Sequence, residues 1–111
     1  MKKARPDLLH GTLDLLIMQS LSEGPMHGWA ISKQIRHVSE DVLEVNQGSL
    51  YPALYRLRDR SLIESRSAVS DEGRSIKIYS LTRKGRAALE VEREGWRLFA
   101  GAVEEILETG S

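Results

Sequence analysis

The sequence predicts a mainly α-helical fold with one small β-hairpin, and three patterns carry that prediction. Leu50, Ala53, Leu54 and Leu57 fall at i, i+3, i+4 and i+7, the stripe of an amphipathic helix with one buried face. Directly after it, an extended run opens at Leu62-Ile63-Glu64, turns at Ser70-Asp71-Glu72-Gly73-Arg74 and returns as far as Leu81. From Thr82 to about residue 108, Leu89, Trp96, Phe99, Val103 and Ile106 step by seven, three, four and three, a heptad-like seam broken only by Glu92. Together these describe a winged helix-turn-helix followed by a C-terminal dimerisation helix. Residues 1–11 are a basic arm, 12–82 the winged unit and 83–111 the last helix.

The first helix starts at Thr12, a plausible N-cap, with Asp14 in its first turn and Leu13, Leu16, Ile17 and Leu21 on one face. Glu23-Gly24-Pro25 stops it. A second helix runs from about residue 27 to 38, with Ile31, Ile35 and Val38 inward and Ser32, Lys33 and Arg36 outward. A connector over residues 39–45 tucks in Leu43 and Val45, and the third helix follows. Two helices joined by so short a turn form a helix-turn-helix. Pro52 lacks a backbone N–H, so an irregular or kinked first turn is expected, with residues 46–49 exposed near the helix tip. In the hairpin, Ile63, Ser65, Ser67 and Val69 alternate with Glu64, Arg66 and Ala68. Ile76, Ile78 and Ser80 alternate with Lys77, Tyr79 and Leu81. The tip is expected to be ragged, with Gly73 free to take a positive φ.

Bulk properties narrow the function. The 111 residues support one domain, and 41% hydrophobic with 29% charged is the balance of a globular protein. No apolar run approaches the roughly 18 residues of a membrane span, and the N-terminus lacks a hydrophobic signal core. Cysteine is absent, which excludes disulfides and thiolate zinc sites and suits a cytoplasmic home. The net charge is zero, but it is unevenly spread. Residues 50–86 hold nine Lys and Arg against four Asp and Glu, while residues 87–111 hold two against six. A local cationic patch attracts phosphate even when the whole molecule is neutral.

A helix tip with small polar groups beside a basic two-stranded ribbon suits insertion into a DNA groove with a wing alongside. The candidate readers are Asn46, Gln47, Ser49, Tyr51 and Arg56, because an amide can pair bidentately with adenine and arginine with guanine. Tyr51 either reaches a phosphate or packs its ring between helices. Arg58 and Arg60, toward the far end of the helix, read as solvated. Arg66, Arg74 and Lys77 on the wing and Lys33 on the second helix are expected at phosphates, with Lys2, Lys3 and Arg5 as further backbone contacts. Arg83 and Lys84 crowd the start of the last helix, where a bound phosphate would reconcile cations with the helix dipole.

Leu89, Trp96, Phe99, Val103, Ile106 and Leu107 are the expected dimer interface, the alternative being a helix folded back on its own core. Two Trp96 indoles near a two-fold axis would either fill the dimer core or line a gap for a small aromatic effector. The spacing of His10, His27 and His37 is not that of a compact ligand pair, so no metal site and no cofactor is assigned. No nucleophile motif or Gly-rich phosphate loop suggests an enzyme. A winged module that pairs only with protein, or a metal-responsive regulator, are the alternatives to double-stranded DNA binding.

Four segments resemble the PadR family of winged-helix transcriptional regulators. They are Leu13-Asp14-Leu15-Leu16-Ile17 with Leu21; Gly24-Pro25-Met26-His27-Gly28-Trp29-Ala30-Ile31; Gly48-Ser49-Leu50-Tyr51-Pro52-Ala53-Leu54-Tyr55-Arg56-Leu57; and Tyr79-Ser80-Leu81-Thr82-Arg83-Lys84-Gly85-Arg86. The single C-terminal helix resembles the short subgroup without a large C-terminal domain. The resemblance implies a homodimer held by that helix, often with help from the first, that binds a near-palindromic operator and usually represses. Trp29 stands where the family more often has tyrosine, removing a hydroxyl able to reach phosphate. Ser61-Leu62 stands where an acidic–glycine pair is common, so the turn into the ribbon is expected to differ in shape.

Overall fold

A computed structural model of the chain describes residues 12–109. Its elements are α1 (Leu13–Ser22), β1 (Met26–His27), α2 (Gly28–Val38), α3 (Gln47–Asp59), β2 (Ile63–Val69), β3 (Ser75–Leu81) and α4 (Arg83–Thr109). The basic arm, with Lys2, Lys3, Arg5 and His10, lies outside the described residues.

Helical periodicity brings the core together. Ile17 and Leu21 of α1, Ile31 and Ile35 of α2, and Leu50, Leu54 and Leu57 of α3 meet Ile63, Tyr79 and Leu81 of the sheet. Thr12 occupies the N-cap of α1 through its carbonyl, which accepts from Leu16 N–H at 3.0 Å, rather than through its side chain. Leu43 and Val45 pack inward as the pattern predicts. Val38 does not. It ends α2 at 70% exposure because the chain turns away after it and no element among the described residues covers that end.

The hairpin becomes a three-stranded antiparallel sheet in the order β1-β3-β2. The added strand is only Met26–His27, paired with Tyr79 and Ile78, too short to show as an alternation in the sequence. Between β2 and β3 the register sets Ile63 against Leu81 and Val69 against Ser75. The tip is a hydrogen-bonded turn rather than a ragged one. Ser70 N–H donates to the Arg74 carbonyl at 2.8 Å, Arg74 N–H donates to Ser70 Oγ at 3.1 Å, and Gly73 takes the positive φ of 82°.

The turn from α3 into β2 falls on Ser61, whose φ is 61°, a region an L residue enters at a cost of roughly 1–2 kcal/mol. The Thr82 hydroxyl holds this turn, lying 2.7 Å from the Ser61 carbonyl and 3.0 Å from that of Leu62. The same oxygen accepts the Gly85 N–H at 3.0 Å and so caps α4. Gly85 then crosses the Leu62 backbone so closely that a Cβ would lie 1.9 Å from the Leu62 carbonyl oxygen.

α4 has 27 residues, so it is about 40 Å long. Its first turns pack on α1 and β3 and bury Gly85 and Leu89. Leu89 therefore belongs to its own chain's core at 3% exposure, a correction to its expected place in a dimer interface. Beyond it the helix runs free of the winged unit, with Trp96, Leu98, Phe99, Val103, Ile106 and Leu107 all exposed.

Candidate nucleic-acid interface

Asn46 and Pro52 decide how α3 presents itself. The Asn46 side-chain oxygen accepts the Ser49 N–H at 2.9 Å, the bond of an N-cap, and the helix then runs unbroken from Gln47. The expected irregular first turn is absent because this cap starts the helix cleanly. Pro52 consequently sits at the sixth helical position and deprives the Gly48 carbonyl of its usual N–H partner. Capping also occupies the oxygen that Asn46 would need for a bidentate adenine pair. Gln47, Gly48 and Ser49 stand exposed at the tip, as predicted.

Arg56 is drawn to the other side. Its guanidinium meets Asp14 of α1 at 3.0 Å, on a recess shared with Arg60 and Glu92 near the root of α4. Tyr51 packs its ring against Gly28, where a Cβ would lie 2.8 Å from the phenol oxygen. The phenol thus occupies the space that only glycine leaves open, and α2 approaches α3 closely there.

A concave face opens between α3 and the wing, lined by His27 and Trp29, by Tyr51 and Tyr55, and by Arg66, Arg74 and Lys77. Asp71 and Glu72 also border it, at the turn. Arg66 opposes Ile78 and Lys77 opposes Ser67, so alternation places these two cations on opposite faces of the ribbon. Trp29 lies parallel to the His27 ring at 6.3 Å, and Lys33 Nζ sits 4.4 Å over the indole. The His27 imidazole is a cap as well, its Nδ1 accepting the Ala30 N–H at 3.1 Å. Arg58 rests half-buried 5.4 Å over the Tyr55 ring. Burial, then the nearby Tyr55 and Tyr51, raise the Tyr79 phenol above the ordinary tyrosine value, with Arg58 pulling the other way.

Elsewhere Arg36 pairs with Asp41 and Glu44, Arg56 with Asp14 and Arg93 with Glu90, while Arg60, Arg83, Lys84, Arg86 and Arg97 make no ion pair among the described residues. Among the described residues, Lys33, Arg58, Arg66, Arg74 and Lys77 face no carboxylate within ion-pair distance, and two of them lie over aromatic rings instead. A cation held over a ring keeps its charge available to an incoming anion. Arg83 and Lys84 are exposed at the start of α4, next to the Ile63–Leu81 end of the hairpin. Six residue steps of about 3.3 Å separate that end from the tip, so these two cations lie some 20 Å from Arg74.

Sequence reasoning missed Tyr55, Arg58 and the Trp29–Lys33 pair. Tyr55 was visible in principle, since it lies opposite the Leu50–Leu54–Leu57 stripe on a helical wheel. The cation–ring pairs were not, because they depend on side-chain rotamers. Among the described residues no His, Asp and Glu cluster suited to a metal ion occurs, and no helix is long and apolar enough to cross a membrane.

Comparison with known proteins places this geometry. Residues 17–91 match the Transcriptional regulator PadR-like family. Transcriptional regulator Rv3488 of Mycobacterium tuberculosis is 36% identical over 80 residues, 71% of this chain and 70% of that protein. Transcriptional regulator YqjI of Escherichia coli K12 is 35% identical over 85 residues, which is 77% of this chain but only 39% of the relative. A PadR family transcription regulator from Clostridium difficile R20291 has a similar structure, with a TM-score of 0.75 at 32% identity, over 87% of this chain and 99% of that one. A transcriptional regulator from Clostridium thermocellum gives 0.82 at 26% identity, over 89% and 96%. Members of this family are regulators of transcription rather than enzymes. On the match over most of its length, the helix-turn-helix with its three-stranded wing, and these relatives, the chain belongs to the PadR-like family of transcriptional regulators.

Proposed function

We propose that the chain is a cytoplasmic, homodimeric repressor that binds double-stranded DNA through the concave face between α3 and the wing. The single observation that carries this reading is the convergence of Arg66, Arg74 and Lys77 on the face beside α3, with no carboxylate within ion-pair distance of them among the described residues. Phosphates supply the missing partners, and neutralising them releases counterions. The exposed tip of α3 enters the major groove, with Gln47 and Ser49 offering polar groups to base edges. The wing lies along the flanking backbone, one cation on each side. Arg83 and Lys84, at the opposite end of the hairpin, meet a separate stretch of backbone.

The bare seam of α4 supports the dimer. Among the described residues no element covers Trp96, Phe99, Val103, Ile106 and Leu107, and an antiparallel or parallel copy of the same helix buries them. Trp96 and Phe99 have ring centroids 6.3 Å apart at 43°, a pair that either closes the dimer core or borders a slot for a planar aromatic effector. Two winged units related by the two-fold axis then address half-sites one helical turn apart, about 34 Å, or a multiple of it. Repression rests on the family resemblance, and a reconstituted transcription assay with the selected operator tests it directly.

A gel shift at two salt concentrations tests DNA binding. Affinity is expected to fall steeply as salt rises, and Arg74→Ala is expected to weaken every duplex and lower the salt slope by about one per protomer. Gln47→Ala instead is expected to relax sequence preference at one base pair per half-site. Failure to shift any duplex at low salt would return the winged unit to a protein-binding role.

A further inference from the structure

The outermost stripe of α3 is mostly apolar until its last residue. Gly48, Pro52, Tyr55 and Asp59 follow one another at four-, three- and four-residue steps, opposite the buried Leu50, Ala53, Leu54 and Leu57, and all four are exposed. Three of the groups that could read bases by hydrogen bonds are committed elsewhere, which leaves Gln47 and Ser49 at the tip: the Asn46 oxygen holds the cap, Arg56 holds Asp14, and Tyr51 is wedged on Gly28. What points away from the core at mid-helix is a proline ring and a phenol ring 48% exposed.

Pro52 is costly where it stands. A proline in a helix interior is the least favourable residue there, because it lacks the N–H and its ring crowds the preceding turn. Residues that break a local rule at no visible structural gain tend to mark function. Pro52 is exposed and lies outside the buried core, and its ring forms the crest of the stripe with Tyr55.

The geometry points to apolar readout: Pro52 and Tyr55 recognise thymine in the major groove through its C5-methyl group. The methyl is the one apolar mark on a base edge there, and a side chain selects it by laying apolar surface against it. Gly48 leaves the tip of the same stripe without a side chain, so the backbone can approach the bases closely. Asp59 at the other end repels phosphate, so the helix enters N-terminus first and its last turn leaves the groove. Arg58, stacked over Tyr55, positions the ring from the flank and takes no part in reading the base. This inference rests on the DNA-binding reading above and adds the chemistry by which one base pair is chosen.

The test uses the full chain and the duplex it selects from a random pool, with each thymine replaced in turn by deoxyuridine, which removes only the methyl. Burying one methyl is worth about a fourfold change in affinity. At least one thymine per half-site is expected to show that loss. The loss should vanish in Pro52→Ala or Tyr55→Ala and persist in Tyr55→Phe, which keeps the ring. Pro52→Ala should at the same time raise thermal stability, so a lost methyl effect cannot be blamed on unfolding. The inference is overturned if no uracil substitution weakens binding, or if the loss survives in both alanine variants. Selection of no duplex at all overturns the DNA-binding reading itself, and this one with it.

Discussion

Leu89 and Phe99 lie on the same apolar seam of α4, yet one is buried in its own chain and the other is bare. The two stretches have similar residues and helical periodicity. They differ in what stands opposite. At Leu89 the helix crosses α1 and the sheet, brought there by the Thr82 cap and the close passage of Gly85 over Leu62. Three turns later the winged unit has ended, and the seam faces outward. A single amphipathic pattern therefore serves two partners, the chain itself at the root and, in the proposed dimer, a second copy beyond it. Glu92, the one break in the seam, sits at the boundary and lines the polar recess with Arg56 and Arg60.

Substitution at the two ends should separate these roles. Leu89→Ala opens a cavity in a packed core and is expected to cost about 2–5 kcal/mol, read as a lower urea midpoint at any protein concentration. Phe99→Glu should leave the winged unit folded and instead make association the casualty, seen as a stability that no longer depends on protein concentration. Equal behaviour of the two variants would erase the distinction. Gly85→Ala tests the crossing between the regions. The added methyl meets backbone rather than a movable side chain, so a loss of about 2–3 kcal/mol is expected by the same urea titration.

Smaller effects refine the root of α4. Ser61→Gly relieves the left-handed φ beneath Thr82 and should stabilise the fold by about 0.5–1 kcal/mol, measured by thermal melting. A loss there would mean that the serine side chain carries an interaction of its own. The smallest expected effect concerns Tyr79. Its phenol holds its proton to higher pH in the fold than in the unfolded chain, chiefly through burial. Its contribution is therefore whole below the ordinary value of 10.0 and lost as pH rises through the folded value. Tyr79→Phe should flatten that part of the alkaline unfolding curve, while leaving stability at neutral pH nearly unchanged.

How much of this was legible in the sequence follows from what each feature depends on. Periodicity and turn residues depend on neighbours along the chain, so the helices, the hairpin and the positive φ at Gly73 could be read directly. β1 could not, since two residues make no alternation and their pairing with Tyr79 and Ile78 is long-range. Val38 continues the inward stripe of α2, but burial needs a partner that the described residues do not supply. The site was harder still. An asparagine amide before a helix suits both capping and base reading, and only the 2.9 Å bond to Ser49 decides between them. Arg56 likewise suits base reading by type, and only the fold sets Asp14, 42 residues earlier, beside it. Pro52 stands out in the sequence as a helix breaker, whereas its place on the exposed stripe with Tyr55 depends on the fold.

The most direct test is the mass of the protein–DNA complex, determined by light scattering on the duplex recovered from the random pool. Two chains per duplex are expected at low salt, and Phe99→Glu should abolish that complex while leaving a folded single chain. One wild-type chain bound per duplex at full affinity, or protein and duplex passing separately, would contradict the picture of paired winged units joined through α4.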